Sequence, residues 1–320
     1  MDKIKVDFRH FPREAVKEDK FFQNLLVENF DIEISKNPNF ILFSTFTGKN
    51  TREIPIINEN ATTIFWTGEN IRTDMKKCNY AFGYEYKEEI NSPNYMRLPL
   101  YAYYGAGDDL TQTKNPKQIM KEKTKFCTYA YSKDAKERVE FFNELSKYKR
   151  IDAPGKSMNN SSPIPTQKFP LITKPINAIE SFFGKHYFSS LFSRHFGNWR
   201  KDVIAYQKQF KFTIAFENSS YPGYTTEKIY HPMLANSIPI YWGNPEIGRE
   251  FNTKSFINWY DYNDPQKVVD KVIEIDSDEK KYIKMLQEPY FNKNKPNKWC
   301  GKERIVKQFE KIFKTKSQSK

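Results

Sequence analysis

Residues 217–230, ENSSYPGYTTEKIY, crowd hydroxyls, a carboxamide and a Glu-Lys pair between two hydrophobic runs, FKFTIAF and IPIYWG. The run before reads as a strand and TEKIYHPMLAN as a helix, so the polar stretch lies where open α/β sheets bind ligands. Thr225 and Thr226 are both suitable N-caps, and Glu227 complements the dipole of the first turn. Backbone N–H groups with no helical partner favour an anion such as a phosphate there, and Lys228 adds a full positive charge. Asn218 and the hydroxyls suit a sugar or ribose, and Gly223 after Pro222 permits a tight turn. The pattern is neither the dinucleotide GxGxxG nor a P-loop. On residue types alone, an ordinary capped helix with a solvated lysine explains the same stretch.

The chain has 320 residues, enough for two domains with separate cores. Its 27 Phe and 20 Tyr exclude a disordered chain. A net charge of +13 points to an anionic partner or to plain solubility. Cys78, Cys127 and Cys300 are widely spaced, which reads as reduced structural thiols in a cytosolic protein. The four histidines have no metal-ligand spacing. The short DSD at 276–278 matches the Asp-x-Asp of metal-dependent transferases, but it precedes the charged run EKKYIKML, where Asp and Ser are ordinary caps. MDKIKVDFRHF has no signal-peptide core, and no run approaches the roughly 20 apolar residues of a spanning helix. The expectation is a cytoplasmic protein.

The elements that must position these residues alternate. KIKVDF, DIEIS, NFILFSTF, TTIFWT and NYAFGYEY read as strands, and DKFFQNLLVENF as a helix. A charged break at 114–125 reads as a linker. The pattern then restarts with the strand KFCTYAYS and the amphipathic helix of 133–150, whose face is expected to carry Val139, Phe142 and Leu145. After the polar loop 152–170, helices are expected at 177–192 and 198–210, then the βαβ unit of 211–242. Two successive α/β units suggest two Rossmann-like domains facing each other across a cleft. The expected domains are 1–122, 123–300 and a basic amphipathic tail at 301–320.

FENSSYPGYTTEKIYHPMLANSIPIYWG closely resembles the central signature of the α1,3/α1,4-fucosyltransferases, bacterial and animal. FWTGEN (65–70), YAFGYEY with MRLPLY, and RVEFFNELSKYKRIDAPGK (138–156) resemble further family segments in family order. The resemblance covers roughly residues 62–262, and the conjunction is far more specific than any one motif.

The resemblance implies a GT-B arrangement and GDP-fucose as donor, held mainly by the second domain. It places Arg138 and Lys228 at the diphosphate, where an Arg fork and a Lys point charge suit the task. Asn218, Tyr224 and Glu227 match positions that contact the nucleotide, diphosphate or fucose. Glu69 becomes the general base for an inverting transfer to a Gal-GlcNAc acceptor, giving Lewis-type α-fucosides. No metal or cofactor is required on this reading, although divalent ions remain free to stimulate. A transferase with another acceptor is the nearest alternative. A nucleic-acid-binding protein is the alternative of a different class, against which stand scattered lysines and no RNP-like or helix-turn-helix pattern.

Two features depart from the resemblance. Residues 160–200 look like extra sequence, and the heptad repeats of some bacterial members do not occur. In the tail, Ile305, Val306, Phe309, Ile312 and Phe313 share one helical face, with lysines elsewhere. Such a helix suits either an anionic membrane surface or packing onto the first domain. The first option would make the protein peripheral at the inner face of a membrane.

Overall fold

The computed structural model describes residues 3–11, 21–47, 53–165 and 198–317. The chain forms two compact units. The first comprises Met1–Gly107, Tyr221–Thr226 and Lys298–Lys320, and the second Asp108–Ser220 and Glu227–Asn297. The structure is α/β, with one parallel sheet and flanking helices in each unit. The expected helix at 177–192 lies outside the described residues.

In the first unit, β1 (Ile4–Arg9), β2 (Ile32–Ile34), β3 (Phe40–Phe43), β4 (Thr62–Trp66), β5 (Tyr80–Gly83) and β6 (Tyr95–Arg97) form a six-stranded sheet ordered β2-β1-β3-β4-β5-β6. Every pairing is parallel. FILF of β3 and YAFG of β5 are buried throughout, as strands covered on both faces must be. The helix Phe21–Asn29 packs Phe22, Leu25 and Leu26 inward. The C-terminal helix Glu303–Ser317 belongs to this unit. Its Phe309 ring lies 5.2 Å from Phe82 and 5.9 Å from Phe22, and Phe313 lies 4.8 Å from Phe40. Of the two readings of the tail, packing is the one observed, because its apolar face is spent on this core.

In the second unit, β7 (Lys125–Thr128), β8 (Ile151–Asp152), β9 (Phe210–Phe216), β10 (Ile238–Trp242) and β11 (Ile257–Asn258) form a parallel sheet ordered β11-β10-β9-β7-β8. Both sheets thus share one doubly wound order, in which the first strand lies between the second and third. The core gathers Phe141, Phe142, Leu145, Phe212, Ile214, Phe216, Ile240 and Val272 around this sheet.

Two local expectations are corrected. The charged stretch 114–125 is not a bare linker. It folds as the helix Pro116–Glu122, capped by the Asn115 side chain, with Pro at its start. The flanking lysines hold it in place. Lys114 Nζ donates to the carbonyls of Leu286 and Glu288, and Lys123 Nζ to those of Lys208 and Ala235. Burial pushes both amines down to about 7. In the helix Lys136–Ser146, Phe141 and Arg138 are buried with Phe142 and Leu145, while Val139 is only half-buried. A face read as apolar at the sequence level therefore carries a guanidinium.

Candidate functional site

The doubly wound order of the second sheet reverses between β7 and β9. At such a point the connections diverge and leave a crevice at the strands' carboxyl ends. Arg138 reaches β9 from the helix after β7. Its Nε and Nη2 donate to the Phe216 carbonyl at 3.2 and 3.0 Å. The guanidinium carbon stands 4.1 Å from the centre of the Tyr131 ring, and only 4% of Arg138 is exposed. A solvated Arg138 is therefore excluded. Tyr131 in turn donates to the Ile214 carbonyl and accepts from the Phe216 N–H, so it fixes the end of β9. Burial pushes its phenol pKa up, which keeps it neutral.

Glu217 is the next residue along, and it is fully buried. Its backbone N–H donates to the Trp242 carbonyl, and its carboxylate lies 3.3 Å from Lys228 Nζ. Gly243 makes room for it, since a Cβ there would come within 2.3 Å of Glu217 Cγ. Lys228 also lies 3.6 Å from Glu227, and both side chains keep some exposure, 22% and 13%. Asn218 is exposed and accepts from the Ser219 hydroxyl at 3.2 Å. Arg138 and Lys228, ninety residues apart in numbering, thus converge on Phe216 and Glu217.

The helix carrying Lys228 runs Glu227–Leu234, directly after Thr226. Its far end is closed by Asn236 in the left-handed region (φ 48°), with Asn236 N–H on the Met233 carbonyl and Ser237 N–H on that of Pro232. This closure fixes the short helix between β9 and β10. The DSD residues serve structure. Asp276 pairs with Lys149 and Lys211, and Asp278 caps the helix Glu279–Gln287. Among the described residues no cluster of three or more His, Cys, Asp or Glu side chains is arranged to hold a metal ion.

The first unit contains Glu69 and Tyr224. Glu69 lies in the turn after β4, with its N–H on Thr67 Oγ1 and its carbonyl accepting from Ile71. It is half-buried, and among the described residues nothing bonds to its carboxylate. Tyr224 is 3% exposed, in the segment Tyr221–Thr226. That segment is pinned by Arg97, whose Nη2 donates to the Gly223 carbonyl at 2.9 Å. Gly223 has φ +82°, and a Cβ there would meet the Tyr84 carbonyl at 2.5 Å, so only glycine fits.

Sequence reasoning named Glu69, Arg138, Asn218, Tyr224, Glu227 and Lys228 but passed over Glu217, Tyr131, Arg97 and Gly243. Glu217 stood at the head of the singled-out stretch, directly after the strand Phe210–Phe216, and that position was its missed signal. No sequence signal marks Tyr131 or Arg97, which bond the Ile214 and Gly223 carbonyls 83 and 126 positions away.

Two doubly wound units, one with cationic side chains converging at its switch point, define a GT-B-like protein. Residues 120–302 match the family model described as glycosyltransferase family 10 (fucosyltransferase) C-term, and residues 6–104 match the alpha-(1,3)-fucosyltransferase FucT N-terminal domain. The chain belongs to glycosyltransferase family 10. It is 32% identical over 177 residues to a putative fucosyltransferase, R654, of Acanthamoeba polyphaga mimivirus, covering 55% of this chain and 26% of that protein. It is 27% identical over 278 residues to the alpha-(1,3)-fucosyltransferase FucT of Helicobacter pylori, covering 84% of this chain and 55% of that one. The chain thus spans at most about half the length of these relatives. A crystal structure of an alpha1,3-fucosyltransferase with GDP-fucose superposes with a TM-score of 0.70 at 20% identity, covering 97% of this chain and 90% of that one. That likeness concerns the fold.

Proposed function

We propose that the chain transfers L-fucose from GDP-β-L-fucose to a GlcNAc hydroxyl, O3 and in some acceptors O4, of N-acetyllactosamine-type glycans, with inversion to an α-fucoside. The observation that carries this reading is the convergence of Arg138 and Lys228 at the carboxyl end of β9. Two fixed cations there suit a diphosphate leaving group, whose charge grows as the glycosidic bond breaks. Glu227 accepts from ribose or fucose hydroxyls, Asn218 bonds the nucleotide, and the Tyr224 hydroxyl donates to a phosphate oxygen. Glu69, with its carboxylate unclaimed among the described residues, takes the proton of the attacking hydroxyl. The two cations supply the charge stabilisation without a required metal, and a divalent ion would add to it.

No helix among the described residues is long and apolar enough to cross a membrane. With Phe309 and Phe313 buried, any membrane contact of the C-terminal helix is electrostatic, through exposed Lys307, Lys311 and Lys314. The test of the function is transfer of labelled fucose from GDP-fucose to N-acetyllactosamine and to lacto-N-biose, with the linkage read by NMR. An α-fucosylated GlcNAc supports the reading. Tight GDP binding with no product from either glycan would reject these acceptors, and no GDP binding would reject the donor site.

A further inference from the structure

Tyr84 follows β5, and the Glu69 turn follows β4, its direct neighbour in the sheet. The two connections therefore leave the sheet side by side. The Tyr84 hydroxyl donates to Asn70 Oδ1, one residue beyond Glu69. Its ring meets Tyr224 edge-to-face at 5.0 Å and 68°. Its carbonyl accepts from Arg97 Nε at 2.8 Å, and the same guanidinium holds the Gly223 carbonyl. A second tie runs in parallel. Arg72 stands 3.4 Å from the centre of the Tyr221 ring, and Tyr221 donates to Glu89. Arg72 is itself paired with the fully buried Glu85, which also accepts from Thr73. The turn of residues 69–72 and the segment Tyr221–Thr226 are thus bound to one scaffold within the first unit.

We propose that Tyr84 is a positioning residue that holds the turn carrying Glu69 in register with the segment carrying Tyr224. The inference rests on the reading of Glu69 as general base. Tyr84 is 3% exposed, and burial pushes its phenol pKa far up, so it stays a hydrogen-bond donor at all working pH values. A phenol that only filled space would not need a partner on the catalytic turn. Here the ring serves the donor segment and the hydroxyl serves the base. Removing the hydroxyl alone separates the two duties, because the edge-to-face contact with Tyr224 survives in phenylalanine.

The experiment compares Tyr84→Phe, Asn70→Ala, the double variant and Glu69→Gln in steady-state fucose transfer, with GDP affinity measured by calorimetry. Tyr84→Phe is expected to lower kcat roughly tenfold, since small misplacements of a catalytic group are costly. Its KM for GDP-fucose and its affinity for GDP should stay within about twofold of wild type. Asn70→Ala should lose at least as much, since Asn70 makes a further contact, and the double variant no more than Asn70→Ala alone, because both changes remove the Tyr84–Asn70 hydrogen bond. A parallel fall in GDP affinity would reassign Tyr84 to donor packing and overturn the proposal. Unchanged kcat, or losses that add, would overturn it as well. Should Tyr84→Phe fold poorly, Asn70→Ala with its GDP affinity decides the question. A Glu69→Gln variant that turns over normally would instead refute the base reading and the inference built on it, whereas an inactive Glu69→Gln beside a fully active Tyr84→Phe would refute the inference alone.

Discussion

Lys228 Nζ lies 3.3 Å from Oε2 of Glu217, a carboxylate with no exposed surface. A buried carboxylate paired with a partly exposed lysine fixes the ammonium in place. Replacing Lys228 with Ala removes the ammonium from beside the buried Glu217 carboxylate and, on the proposed reading, its contact with the diphosphate. GDP affinity is expected to fall roughly 10- to 100-fold, as for loss of a charge-assisted hydrogen bond. Calorimetric titration with GDP checks this, and an unchanged affinity would remove Lys228 from the donor site.

Glu69→Gln keeps the size of the side chain and removes its basicity. Transfer is expected to fall by about 10² to 10⁴ while GDP affinity holds, since general-base catalysis contributes on that order. Single-turnover fucose transfer beside GDP calorimetry separates the two effects. A parallel loss of both would point to a misfolded first unit instead.

Asp276 gives the second unit an acid limb. Burial alone would raise its pKa, but hydrogen bonds from Lys149 and Lys211 hold it below the usual carboxylate value. A folded pKa below the unfolded value of about 3.9 means that unfolding takes up a proton in the window between them. The stabilisation is present above that unfolded value and is lost as pH falls through the folded one. Asp276→Asn should therefore flatten the decline of stability below about pH 4. Urea unfolding across pH 2.5–7 measures the slope, and identical curves would show that the pair contributes nothing.

Phe309 touches Phe22, Phe82 and Phe313 with no exposed surface, so the C-terminal helix is part of the first core. Phe309→Ala is expected to cost about 3–5 kcal/mol. Denaturant unfolding reads the loss, and a change below about 1 kcal/mol would mean that the helix docks only weakly.

Much of the local structure was legible from periodicity and chemistry. FILF is a continuous apolar run and FKFTIAF is broken only by Lys211 and Thr213, and a parallel strand buried on both faces needs such a composition. The helix after Thr226 was marked by its cap residues and by Glu227 in the first turn. Lys228 and Glu69 could be placed at the ends of strands for the same reason. The linker at 114–125 misled because its charges suggested solvent. Two of its lysines are instead turned onto the carbonyls of neighbouring helices.

The sequence by itself determined two successive α/β units, the family, and the residue types available for a donor site and a base. The tertiary structure decided where those groups stand. It buried Arg138 against Phe216, placed Glu217 under Lys228, assigned Tyr221–Thr226 and the last helix to the first unit, and linked Tyr84 to Asn70 in the turn after β4. Strand and helix patterns are set by neighbours a few positions away, so a periodicity reveals them. The contacts that build the site join residues tens to more than a hundred positions apart, and only the packing of whole sheets and helices brings them together.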